Sequence, residues 1–189
     1  MKVLIIDNYD SFTYNLVHLI ECYTDDYEVW RNDAINMLKV ADFDAILLSP
    51  GPGLPNEAGA MPELIKQYAS TKPILGICLG CQALGEYFGA ELFNMEAVKH
   101  GLQTPIKIVD HKNLYEGLSN TIDVGRYHSW ALKLKDESNL ISTAYDEQNI
   151  LMSFRHKYLA VYGIQYHPES IMSPDGKTLI ENWMNSIQE

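Results

Sequence analysis

Residues 73–82 read Pro73-Ile74-Leu75-Gly76-Ile77-Cys78-Leu79-Gly80-Cys81-Gln82. An apolar run of strand length runs straight into a helical pattern, with only G-x-C-x-G between them. A strand apolar on both faces, followed at once by a helix, is the unit of a parallel sheet covered by helices. The stretch also holds two of the chain's three cysteines, at C-x-x-C spacing. Three readings of that pair stand open on spacing alone. Cys78 can be a nucleophile on a strained turn, with Gly76 and Gly80 letting the backbone pass closely and the helix N-terminus favouring a thiolate. The pair can be a redox or zinc couple, although no second C-x-x-C or H-x-x-x-H supplies further ligands. Both can be small buried thiols.

Outward from this stretch the alternation continues. Val3-Leu4-Ile5-Ile6 and Ala45-Ile46-Leu47-Leu48 are further buried runs, and Tyr27 to Trp30 is a short strand. Phe12, Leu16, Leu19, Ile20 and Tyr23 fall on one helical face, with Asp10 or Ser11 as the expected cap. Met61, Leu64, Ile65 and Tyr68 mark a second helix, and Leu79 to Phe88 a third. The binding crevice of such a sheet lies beyond the carboxyl ends of its strands. Those ends are Asp7-Asn8-Tyr9, Ser49-Pro50-Gly51-Pro52-Gly53 and Cys78-Leu79-Gly80, which are expected to converge.

The second half reads differently. Residues 105–109, 124–127, 132–134, 140–144 and 151–154 read as short antiparallel strands. Residues 158–165 form a longer one, and a last helix spans Asp175 to Ile187. The expected fold is α/β, flavodoxin-like. It has a mostly parallel central sheet with helices on both faces, plus a small antiparallel sheet, all in one domain over residues 1–189.

Composition narrows the function classes. The 189 residues carry a net charge of −11 and no basic run, which argues against a nucleic-acid surface. No stretch approaches the ~18 apolar residues of a membrane span, and the first apolar run is too short for a signal peptide. Three cysteines, an odd number, suit a reducing cytoplasm better than a disulfide framework.

A thiolate nucleophile needs a proton carrier, a group that orients it, and donors for a developing oxyanion. Of six histidines, His128 and His167 have the best contexts. His167 closes an apolar strand before Pro168, and Glu169, two residues on, can reach one ring nitrogen. Pro50-Gly51-Pro52-Gly53 offers backbone N–H groups at the same sheet edge as Cys78.

Together LSPGPGLPNEAG, GICLGCQALG, GRYHSW and GIQYHPESIMSPDGKTLIENW resemble the class I (triad) glutamine amidotransferases over the whole chain. IDNYDSFTYNL narrows the resemblance to the small subunits of anthranilate synthase and aminodeoxychorismate synthase. The PGPG ending at Gly53, with GRYHSW and ENW, leans toward the former. The resemblance implies a cysteinyl thioester on Cys78, with His167 as proton carrier and Glu169 orienting it. It implies an oxyanion hole from the N–H groups of Gly51 and Leu79. It implies glutamine contacts at Gly51, Pro52, Gly53, Gln82, Ser129 and Trp130, and makes His128 a neighbour of the substrate strand. It implies no metal or cofactor in this chain, and a large chorismate-binding partner that receives ammonia. The γ-glutamyl hydrolases and peptidases share the triad but not the remaining motifs. Two positions depart from the family pattern: Cys81 stands where His is usual, and Leu102 follows His100-Gly101 where Lys is common.

Overall fold

The computed structural model describes residues 1–187. The continuous apolar runs become β1 (Val3–Asp7), β3 (Ala45–Leu48) and β4 (Ile74–Ile77), each buried throughout. β2 (Tyr27–Arg31) lies at the outer edge and is only half-buried. Helices α1 (Thr13–Glu21), α2 (Met61–Tyr68), α3 (Leu79–Tyr87) and α4 (Gly176–Ser186) stand where the periodicity puts them. The start of α1 differs from expectation. The N-cap position falls on Phe12, whose side chain makes no capping hydrogen bond. Instead the Asp7 carboxylate, carried in from β1, accepts from the Tyr9 N–H and the Thr13 hydroxyl, while Asp10 accepts from the Phe12 N–H.

The antiparallel region is more continuous than the sequence suggests. β5 (Glu91–Ile108) and β6 (Thr121–Lys133) form a long pair. β7 (Leu140–Asp146), β8 (Leu151–His156) and β9 (Val161–Ile164) follow. The nine strands among the described residues belong to one sheet, in the order β2-β1-β3-β4-β9-β8-β7-β5-β6. The expected separate small antiparallel sheet is therefore corrected. β9 pairs in parallel with β4 on one side and antiparallel with β8 on the other, so it joins both parts into one surface.

The apolar core forms two layers. Val3 and Ile5 of β1 face Leu16, Val17 and Ile20 of α1 and Leu179, Ile180 and Trp183 of α4. Leu4 and Ile6 face the other way, toward Met61, Leu64 and Ile65 of α2 and Leu84 of α3. Alternating residues of one strand thus supply both layers, as the two-residue period requires. Among the described residues no helix is long and apolar enough to cross a membrane.

The strand ends converge as expected. Asn8, after β1, donates its backbone N–H to the Ser49 hydroxyl (2.9 Å) and its side-chain amide to the Ser49 carbonyl (2.8 Å). A Cβ built on Gly51 would lie 2.5 Å from the Asn8 Cβ and 3.0 Å from the Leu79 Cδ2. The three ends therefore form one rim.

Candidate active site

Cys78 sits at the turn between β4 and α3 with φ 50° and ψ −102°, a backbone that residues with a side chain rarely adopt. The turn is fastened on both sides. The Cys78 N–H donates to the Ile164 carbonyl of β9 (2.8 Å), and its own carbonyl accepts the Gln82 N–H (3.0 Å). A Cβ on Gly76 would fall 2.5 Å from the Gly80 carbonyl, and one on Gly80 would fall 2.6 Å from Leu48, so both positions require glycine for close approach. Leu79 begins α3, where a first-turn N–H has no intrahelical partner.

The C-x-x-C spacing does not make a pair facing one cavity. Cys78 packs with the α1–α4 layer and lines the cavity, whereas Cys81 belongs to the α2–α3 layer. Cys81 lies over Gly163, where an added Cβ would come 2.9 Å from its sulfur and would also strike the Phe154 ring. Burial first, and the nearby Cys78 second, hold the Cys81 thiol well above its ordinary pKa. All three cysteines are free thiols. The space at position 81 suits a small side chain.

His167 follows β9 in a turn, where its N–H donates to the Gly125 carbonyl of β6 (3.0 Å). The Ser173 hydroxyl donates to the His167 carbonyl (2.6 Å) and accepts from the Gly125 N–H (2.9 Å). A Cβ on Gly125 would meet the Ser170 Oγ at 2.8 Å. The ring lies edge-on to Tyr127, with centroids 4.9 Å apart, and to Phe12 at 6.2 Å. Nδ1 and the Glu169 Oε1 are 2.6 Å apart, both side chains being buried. Among the described residues Nε2 has no hydrogen-bond partner, and the ring shares its cavity with Cys78. Burial alone would lower the His167 pKa, but the Cys78 sulfur, and then the Glu169 carboxylate, raise it to about 10. Both groups favour the charged form of the imidazole.

His128, the other candidate, is committed elsewhere. Its Nε2 accepts from the Arg126 Nε–H (3.1 Å), so its Nδ1–H donates to the Trp130 carbonyl (2.9 Å). Burial and then the Arg126 charge lower its pKa to about 4. Arg126 in turn pairs with Asp146 at 2.6 Å, with both side chains almost fully buried. A neutral His128 with both nitrogens engaged orients a carbonyl and has no nitrogen free for Cys78.

The expected substrate contacts divide. Gly51 and Pro52 line an open cavity of about 440 Å³ with Cys78, His100, Tyr127 and His167. Gly53, beyond the lining, is exposed with φ 77°. Gln82 is buried, and its Nε2 donates to the Trp130 carbonyl and to the Gln165 Oε1, both at 3.2 Å. Ser129 lies in a break of the β5–β6 ladder. Trp130 pairs with Asn94 and His128 with Lys99, so the register shifts across Ser129. Among the described residues no cluster of three or more His, Cys, Asp or Glu could hold a metal ion.

Phe12, Tyr127 and Arg126 escape a reading of the sequence alone. The helical period assigns Phe12 to a helix core, but it precedes α1 and lines the cavity. The two-residue period does hold a signal for Arg126, because Val124, Arg126 and His128 share the buried face of β6. Chemically, the site combines a sulfur at a helix N-terminus, an imidazole backed by a buried carboxylate, and a glycine loop that borders the same cavity.

Residues 4–187 match the family model described as glutamine amidotransferase class-I. Anthranilate synthase component 2 of Lactococcus lactis is 43% identical over 192 residues, covering 99% of this chain and 96% of that protein. Aminodeoxychorismate synthase component 2 of Serratia marcescens is 40% identical over 190 residues, covering 97% and 99%. A solved structure of a candidate GMP synthase protein from Thermoplasma acidophilum superposes with a TM-score of 0.89 at 24% identity, covering 100% of this chain and 94% of that one.

Proposed function

The chain belongs to the class I glutamine amidotransferases, and on that premise we propose that it is the glutaminase subunit of a chorismate-aminating synthase, most simply anthranilate synthase in tryptophan biosynthesis. The Cys78 sulfur attacks the side-chain carboxamide carbon of L-glutamine. The N–H groups of Gly51 and Leu79 stabilise the oxyanion, and His167 gives its proton to the departing nitrogen as the C–N bond breaks. Water, activated by the now neutral His167, attacks the thioester. Glutamate leaves as the C–S bond breaks, and the imidazolium–thiolate pair returns. Glu169 keeps the imidazole oriented and favours its charged form. Ammonia passes to the large chorismate-binding subunit. Gly53, Gln82 and the backbone at Ser129 and Trp130 hold glutamine. The work is cytoplasmic.

The observation that carries this reading is the buried His167, bonded to Glu169 at 2.6 Å and lining one cavity with Cys78. The choice of synthase rests on the motifs, because relatives of both kinds are similarly alike. In the assembled holoenzyme, Cys78→Ser is expected to lower glutamine-dependent synthesis by at least about a thousandfold. Ammonia-dependent synthesis should stay intact, and loss of both activities in a properly assembled complex overturns the reading. Purifying the chain with each large subunit in turn distinguishes the two synthases.

A further inference from the structure

One buried side chain reaches the Cys78 sulfur without a role in the reaction above. Gln165 follows β9 and is 1% exposed. Its Nε2 lies 3.7 Å from the Cys78 Sγ, within range of an N–H···S hydrogen bond. Its Oε1 accepts from the Gln82 Nε2. The two ends of a glutamine amide look alike, so their placement has to follow from the hydrogen-bond network. Here the neighbours fix it. The Trp130 carbonyl can only accept, so Gln82 presents its NH₂ there. The same NH₂ meets Gln165, which must answer with its oxygen. The NH₂ of Gln165 is thereby turned onto the sulfur. The polarity is consistent further back, because Arg126 can only donate, which makes His128 a donor to the same Trp130 carbonyl.

We propose that Gln165 is a catalytic hydrogen-bond donor to the Cys78 sulfur, with its orientation fixed by Gln82 and the Trp130 carbonyl. The proposal rests on Cys78 being the nucleophile. An N–H bond to an anionic sulfur is stronger than one to a neutral sulfur. A thioester sulfur is a poor acceptor, so the bond weakens on acylation and re-forms as the thiolate is expelled. Gln165 therefore favours the sulfur anion before attack and again as leaving group, and it transfers no proton itself. The titratable groups around Cys78 are His167, with Glu169 behind it, Cys81 on α3, and His128 on β6, which is coupled to His167. None of them duplicates a neutral donor.

The test is the pH dependence of Cys78 alkylation by iodoacetamide, read by peptide mass in a Cys22→Ser background that removes the exposed thiol. Gln165→Met keeps an unbranched chain without a donor, and Gln165→Glu puts an acceptor in its place. With Gln165→Met the pH of half-maximal alkylation is expected to rise by about one unit, so the rate at pH 6 falls about tenfold. Gln165→Glu is expected to move it further the same way. A thermal melt confirms folding, and if Gln165→Met does not fold, Gln165→Glu decides alone. An unmoved profile in the folded variant overturns the proposal. Alkylation does not need glutamine, so this failure is separate from that of the functional reading, which shows as glutamine-dependent synthesis surviving Cys78→Ser.

Discussion

β1, β3, β4 and β9 are buried along their whole length, whereas β6 and β7 mix buried and exposed positions. The two regions contribute to the site by different means. The parallel region works through backbone: a glycine-lined turn under Cys78, an N–H of Cys78 bonded to Ile164, and a loop closed against Asn8. The antiparallel region works through buried polar side chains, Asp146, Arg126 and His128, which fix the direction of the Trp130 carbonyl. His167 hangs between them, bonded to Gly125 of one region and facing the same cavity as Cys78 of the other. Apolar strands deliver position at little electrostatic cost, while hydrogen-bond polarity needs groups that are costly to bury unless each is partnered.

The sharpest way to break this contrast is Arg126→Met. It leaves Asp146 buried without its cation and frees the His128 tautomer. A loss of about 3–5 kcal/mol in urea unfolding is expected, as for one partner removed from a buried ion pair. A loss below about 1 kcal/mol would mean that the antiparallel region does not depend on its polar chain.

pH should separate the regions with a smaller effect. His167 is raised to about 10, above its ordinary 6.5. Its stabilising contribution is thus fully present below 6.5 and lost as pH rises through 10. His128 is lowered to about 4, so its contribution is present above 6.5 and lost as pH falls through 4. Melting temperatures from about pH 4 to about pH 10 should therefore fall at both ends. Cys78→Ala should flatten the alkaline limb and His128→Asn the acid one. A single substitution flattening both limbs would show that the two sites titrate as one.

The smallest expected effect is none at all. Cys78 and Cys81 pack into different core layers, so Cys81→Ser should leave peroxide inactivation of the glutaminase unchanged. Protection by Cys81→Ser would reveal a disulfide between them.

The parallel region is legible in the sequence because its signals are local. Buried runs and helical periods place β1, β3, β4 and the four helices, and Cys78 stands out on the turn between a strand and a helix. His167 and Glu169 are also legible as neighbours two apart, although they meet in a turn rather than in extended chain. The first part of β5, Glu91 to Thr104, is not legible. Its ladder is interrupted between Asn94 and Lys99 and again between His100 and Leu102, which breaks the alternation that marks a strand. The unity of the sheet is not legible either, because it rests on β9 pairing with both β4 and β8, strands far from it or opposite to it in direction. Gln165 is invisible for another reason. Its partners lie 83 and 87 residues away, and it stands just past the end of a strand, where no period singles it out.

The positive φ of Cys78 also weighs on the stability of the fold. At 50° the backbone there would be most at ease with glycine, and holding another residue in such a region costs about 1–3 kcal/mol. Glycine at this position would relieve that cost and remove the sulfur, so the turn gives up stability to hold its thiol in place.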